Sequence, residues 1–597
     1  MKEIQMDYYD KDSSASAVIL SDYGYFNGDE FKFTRHVRIK ILKKEGLHFG
    51  NWTLQTPSKG SFKGVVYNFE NGSIEEEKLA ESKVHKQQII DDLYVYKVFM
   101  PNVKVGSIID LRYSFYGMPY EWRFQYLIPV IYSELKIDPN DYLRYNKQFY
   151  GFEEFKLVGQ DHWISRDIPA FIKEEKISHY SNYISKIELN LLEVRYPGSR
   201  YSRPYFKEYA TSWEQIGKNL YEHEFFGRKI RETTFINKKA KEIKEASASN
   251  IEIINKVYNY VKSNIKWNDI HTIYSLGTIR DNFEDDKSGS ISEINLTLIA
   301  MLGRAGIDVW PVVLSTIDNG MLLPHSPSMN KLNYVIAYIE IDGKGMLLDA
   351  SQQNLQPGIL PVKCLNGPAW LVEHHGGRWI DLIGKNKNTI RKFTKISTNE
   401  NEEWIAEVSI MRNKYAYLSW KEENSKNYST QEYLSQFENG NNNLFINEYN
   451  IIKDDSIKLN STEQLKIELE DFLVDLGSEF IMDPYLIKEI NENSFKSVNR
   501  KYPVFFSTIP SIKHTVIIDI PETIKVRELP ESIKMSLPDQ SGYFSFVCSE
   551  SNGSIQINYS IQLKRALYNE EEYHMLKNFY TEVLKKIGQP ILFIKST

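Results

Sequence analysis

The sequence predicts a multidomain α+β protein in which β-rich regions flank a mixed core. Three observations carry this. At 597 residues the chain is too long for one hydrophobic core and divides into about three domains. Aromatic residues make up 13%, with 39 Tyr and 30 Phe, a usage that favours pleated packing. The apolar period also changes along the chain, from alternation to helical spacing and back. The divisions fall at 1–205, an antiparallel β-sandwich; 206–390, an α+β core; and 391–597, a β-rich domain with a late helix.

Composition narrows the function classes. Net charge is −6, with no long run of like charge, so no nucleic-acid partner is expected. The two cysteines, Cys364 and Cys548, lie far apart and in no metal-type spacing. The adjacent His374 and His375, read as strand residues, would point to opposite faces. No metal or cofactor is expected. No apolar run approaches the roughly 18–20 residues of a spanning helix. The opening Met1-Lys-Glu-Ile-Gln-Met-Asp is polar at once, so neither a transmembrane segment nor a signal peptide is read, and a soluble protein is expected.

In the first region the apolar run Ala17–Leu20 comes first, and Thr34–Leu42, Tyr94–Phe99 and Ser107–Phe115 alternate apolar and polar residues. With turns between them and no long helical pattern, they predict an antiparallel sandwich. The basic positions within 35–44 read as a solvated strand face. From 206 the pattern turns helical. Ser212 caps one helix, and Ile251, Ile254, Val257, Tyr258 and Val261 share the buried face of another. His271 follows in a loop, where a surface histidine is the ordinary reading and a site residue the alternative.

Residues 287–353 form the centre of the chain. Ser290 or Ser292 caps a helix, Glu293 offsets its N-terminal partial charge, and Leu296, Ile299, Ala300 and Leu302 form its buried stripe. Gly306 ends it. A strand at 307–315 and another at 332–341 follow, and Asp342-Gly343 is a hairpin turn. Between the strands, Asp318–Ser328 is a proline-containing loop that carries His325. Cys364 reads as a small buried apolar residue. In the last region, alternation at Trp404–Ile410 gives way to a helical, Asn-rich segment at about 427–447, with a turn or mobile loop at 439–443. Strands follow around 463–475 and 514–527 and at Ser554–Leu563. A helix at 570–587 buries Tyr573, Leu576, Phe579, Tyr580, Val583 and Ile587, and the strand Ile591–Lys595 closes the chain.

The run from Gly289 through Arg304-Ala-Gly-Ile307 to Asp342-Gly-Lys344 and Asp349 resembles the core of the transglutaminase-like superfamily. The resemblance implies a transglutaminase/papain-like core with a Cys-His-Asp triad. Residue by residue, Ile291 stands at the nucleophile, Tyr334 at the histidine and Asp349 at the acid. Two of the three positions therefore lack the chemistry: isoleucine is no nucleophile, and tyrosine titrates far above neutral pH. Segments 12–20, 38–42, 101–109 and 122–129 are similar to the domain of unknown function that precedes this core in bacterial envelope proteins, and 391–597 to the domain that follows it. That kinship implies a periplasmic or extracellular protein. The residues themselves leave a cytoplasmic location open.

The resulting expectation is a catalytically degenerate binding or scaffold module for a peptide, an envelope polymer or a partner protein. Ser290, Ser292, Glu293, Asn295, Asn333 and Tyr334 would line the former site. The alternative is an active hydrolase or acyl transferase that uses Ser290, Ser292 or Cys364 as nucleophile, with His325 as base.

Overall fold

The computed structural model describes residues 2–90, 93–196, 203–232, 234–284, 287–383, 387–425, 429–438 and 444–596. Strands take 44% and helices 21%, so the protein is β-rich, with several separate sheets. Two compact units are present. The first comprises Met1–Lys173, His179–Gly345 and Pro368–Ile380; the second comprises Glu174–Ser178, Met346–Gly367 and Asp381–Thr597.

The first unit opens with an eight-stranded sheet. Its middle strands are β1 (Ala17–Asn27) and β2 (Lys32–Ile41). The alternation read from Thr34 onward is real: Phe33, Val37 and Ile39 are buried. β3 (Asn51–Thr56) belongs to a separate three-stranded sheet. β4 (Ile108–Tyr116) pairs with β2, and β5 (Val130–Asp138) pairs with β1. The β1–β5 pairing is parallel, Ile19 opposite Val130, so this sheet is mixed where an antiparallel one was expected. The physical reason is burial: Ala17–Leu20 is buried without interruption, which marks an interior strand that needs neighbours on both edges. β6 (Lys186–Tyr196) is the central strand of a further sheet. At Gly24 only a hydrogen fits, because a Cβ there would lie 2.5 Å from the Trp122 ring.

The helices of this unit follow their sequence signals. α1 (Trp213–Glu222) is capped by Ser212, whose Oγ accepts the Gln215 N–H at 3.1 Å. α2 (Asn250–Asn264) buries Ile254, Val257, Tyr258 and Val261. Ile251, expected on the same face, is 48% exposed, because the first turn overhangs the stripe. α3 (Ile291–Arg304) buries every residue from Ile291 to Leu302. It packs against α2 and against two strands, β7 (Val309–Leu314) and β8 (Tyr334–Ile341). Gly306, at φ 90°, ends the helix. Asp342 and Gly343 both have positive φ, as a two-residue hairpin turn of this type requires. β9 (Pro368–Glu373) pairs with β7, and β10 (Gly376–Asp381) pairs with β9. His374 and His375 form the turn between these last two strands and are not strand residues.

In the second unit β11 (Lys387–Thr398) and β12 (Trp404–Lys414) are antiparallel neighbours, and β13 (Asn460–Leu469) pairs with β12. β14 (Ile509–Asp519) runs parallel to β11. β15 (Gly542–Ser551) and β16 (Ser554–Leu563) continue an eight-stranded sheet. α4 (Tyr573–Ile587) buries the six residues named from the sequence, and β17 (Ile591–Lys595) closes the chain. The helical segment expected at about 427–447 is shorter, Thr430–Glu438, with a strand beginning at Leu444. The expected turn at 439–443 lies outside the described residues. A further helix, Tyr415–Ser425, carries no amphipathic period and gave no sequence signal.

Candidate functional site

The residues expected to form the site cluster at the head of α3, where hydrogen bonds within the fold already engage them. Ser290 is extended at its backbone and caps the helix. Its Oγ accepts the Glu293 N–H at 3.3 Å, and Glu293 Oε2 accepts the Ser290 N–H at 2.7 Å. This is a complete capping box. The other Glu293 oxygen accepts the Leu276 and Gly277 N–H groups at 3.2 and 2.8 Å. Ser292 Oγ donates to the Tyr274 carbonyl at 2.6 Å. Both serines are at most 1% exposed.

Ile291, at the position that the resemblance gives to the nucleophile, is fully buried. Its N–H donates to the Ile270 carbonyl at 3.2 Å. The first N–H groups of a helix are normally left without intrahelical partners and can hold an anion or a developing oxyanion. Here that donor is engaged. Tyr334, at the histidine position, starts β8 opposite Leu314 and is also fully buried. The His271 ring stands edge-on to it, with centroids 5.8 Å apart. Two consecutive residues, Ile270 and His271, thus touch Ile291 and Tyr334 respectively. Their loop is held by Trp267, which pairs with Gly289 and packs on His271 at 5.2 Å. His271, read as a surface histidine, is half-buried. The Ile265-Lys-Trp267 break four residues earlier was the signal available for it.

The remaining expected residues make the following contacts. Asn295 Nδ2 donates to the Val335 carbonyl at 2.9 Å and ties α3 to β8. Asn333 brackets Thr316, accepting its N–H at 3.0 Å and donating to its Oγ1 at 2.8 Å. His325 is exposed on its loop. Asp349 and Cys364 belong to the second unit and are fully buried. Asp349 Oδ1 accepts the Ser351 N–H at 2.9 Å, and Cys364 lies in a short helical turn, Val362–Cys364. Among the described residues no three His, Cys, Asp or Glu side chains gather as a metal site. No described helix is long and apolar enough to cross a membrane.

A second constellation of the first unit escaped sequence reading, because its members are far apart in the chain. Lys186 Nζ lies 3.0 Å from Glu121 and 2.7 Å from Glu188, and Lys331 Nζ lies 2.9 Å from the same Glu188 oxygen. Arg123 pairs with Glu121. Burial alone would push the Glu121 carboxyl up, but Arg123 and Lys186 outweigh it and hold it at about 2. Burial pushes Lys331 down in spite of Glu188. These groups border a cavity of about 520 Å³ that is also lined by apolar residues such as Phe33, Val37, Leu54 and Phe115.

The fold is similar to that of a crystal structure described as a "putative protease" from Parabacteroides distasonis ATCC 8503. The TM-score is 0.56 at 13% identity, over 97% of this chain and 99% of that one. The periplasmic domain of TgpA from Pseudomonas aeruginosa superposes far less well, with a TM-score of 0.16 at 9% identity over 50% of this chain and 93% of that one. No curated protein sequence matches the chain. Residues 478–593, within the second unit, match the family profile of a domain of unknown function with a solved structure, DUF3858.

Proposed function

We propose that this protein is a catalytically silent member of the transglutaminase-like superfamily, organised as 1–205, 206–390 and 391–597. Its core serves as a scaffold for binding a peptide, an envelope polymer or a protein partner, in the periplasm or outside the cell. One observation carries the reading. At the two positions where the superfamily holds its thiol and imidazole stand Ile291 and Tyr334, both fully buried, and the Ile291 N–H is bound to Ile270. A core that keeps the helix and strands but fills the reaction centre with packed side chains has structural work left for it.

The rival reading, a hydrolase with a substitute nucleophile, meets three obstacles. The Ser290 hydroxyl caps a helix, the Ser292 hydroxyl donates to a carbonyl, and His325 is exposed on its loop. The experiment is covalent labelling of the native protein with a fluorophosphonate and with iodoacetamide, read by peptide mass spectrometry. The expected result is no modification of Ser290 or Ser292, and none of Cys364 until the protein is unfolded. Native-state labelling of any one of them, accompanied by peptide or ester hydrolysis that its replacement by Ala abolishes, overturns the proposal.

A further inference from the structure

We infer that the cavity of about 520 Å³ in the first unit is a binding site for an uncharged amphiphile. The aliphatic body would lie between the strand walls, and a hydrogen-bond-accepting head would meet Asn190 and Trp52. The cavity is lined mainly by strands before residue 205, together with the 318–331 segment, and the inference stands whether or not the α3 region is catalytic.

Three observations lead to it. The first is shape and polarity. β2, β3 and β4 supply Phe33, Val37, Leu54 and Phe115 to one part of the cavity wall, and charged side chains, Glu121, Lys186 and Glu188 among them, line the rest, an amphipathic lining in the size range of small-molecule sites. The second is the charge balance. Arg35 reaches into the wall, but its guanidinium is bound to both Asp22 oxygens, at 2.8 and 2.6 Å, and to the Tyr126 hydroxyl. Glu121 is met by Arg123 and Lys186, and Glu188 by Lys186 and Lys331. The remaining carboxylate of the lining, Asp318, is exposed. A charged ligand would therefore find its counter-charge already engaged inside, and would lose its hydration without return.

The third observation is the pair of donors left over. Asn190 is 3% exposed, and its Nδ2 has no hydrogen-bond partner; neither has the buried Trp52 Nε1. Both residues line the cavity. A buried donor without an acceptor is costly and uncommon, and two at one cavity, from β3 and β6, call for a ligand that brings acceptors: ester, amide or ether oxygens. Asn190 also borders a second cavity, of about 730 Å³. An acyl chain in the first cavity can therefore place its head on the shared wall.

The test uses the full chain, with 1-monododecanoylglycerol as ligand and the neutral dye N-phenyl-1-naphthylamine as reporter. The ester should displace the dye saturably. Sodium dodecanoate at pH 8, with the same tail and a charged head, should bind about tenfold more weakly or worse. Asn190→Leu removes the orphan donor, so its melting temperature should hold or rise while its affinity for the ester falls about five- to tenfold. Trp52→Phe, on a half-buried strand, should lose affinity to a similar degree and serves if Asn190→Leu does not fold. The inference is overturned if the ester fails to displace the dye, if dodecanoate binds as tightly, or if the folded variants bind like the parent.

Discussion

The amide of Ile291 donates to the carbonyl of Ile270 at 3.2 Å, so this N–H at the head of α3 is engaged within the fold. Under the proposed reading, placing a thiol and an imidazole at 291 and 334 should therefore not by itself create chemistry. The double variant Ile291→Cys, Tyr334→His is expected to show no peptide or glutamine hydrolysis above background. Its new thiol should react slowly with Ellman's reagent, because position 291 is fully buried. Exchanging the packed Tyr334 for a smaller polar ring should cost roughly 2–4 kcal/mol in urea unfolding. A burst of acyl-enzyme on mixing with an activated ester would show that the side chains were all that was missing.

The ion network around Lys186 makes an acid-labile contribution to stability. Glu121 sits at about 2 in the folded protein against an ordinary 4.5. Its contribution is complete above pH 4.5 and is lost as the pH falls from there through about 2. Glu121→Gln should destabilise the first unit at pH 7 by a few kcal/mol at most. It should also flatten the stability profile between pH 4.5 and 2. Urea titrations at pH 7 and pH 3 measure both effects, and equal losses at the two pH values would refute the assignment.

His514 acts over a higher pH window. Burial, aided by the Lys392 charge, lowers its pKa from an ordinary 6.5 to about 3. The unfolded chain takes up a proton below pH 6.5 that the folded chain refuses. Stability should therefore fall as the pH drops from 6.5 toward 3, by up to about 1.4 kcal/mol per pH unit from this group. His514→Gln keeps a polar side chain beside Thr394, which the ring contacts at 2.9 Å, and should remove that slope. The comparison to make is the second unit's unfolding midpoint at pH 8 and pH 5.

Gly217, on α1, sits against the β9–β10 turn. A Cβ there would come within 1.9 Å of the Gly376 carbonyl oxygen and 2.8 Å of Trp370 Nε1. Gly217→Ala gains helix propensity, yet should destabilise the first unit by about 1–3 kcal/mol through the clash. Calorimetry reads the sign directly. A stabilised variant would mean that the turn yields without cost.

What the sequence made legible was whatever depends on local periodicity and turn chemistry. α4 and its six buried residues, the Ser290 cap, the Gly306 stop and the Asp342-Gly343 turn are all written in neighbouring residues. What depends on distant partners was not. Nothing local announces that Ile19 lies beside Val130 in parallel, that Lys331 meets Glu188 or that His271 packs on Tyr334. The Tyr415–Ser425 helix went unread because its apolar and polar residues share no face. At the centre, the residue types at 291 and 334 gave only the expectation of lost chemistry; their full burial is what the structure adds. That the loop at Ile270 and His271 packs against both needed coordinates.

The parallel pairing of β1 with β5 has a consequence for how the chain reaches its native state. One edge of β1 is satisfied locally by the hairpin to β2, but the other waits until residues 28–129 have been made and threaded past it. Contacts of such long sequence separation are slow to form, because the loop-closure entropy is lost before the pairing compensates for it. In the interval the uninterrupted apolar run Ala17–Leu20 presents an open strand edge, the kind of template on which nascent chains associate with one another. The first seconds after synthesis are thus the period in which this protein is most exposed to aggregation, and a holding chaperone that shields the first 130 residues would act where the topology leaves the chain unprotected.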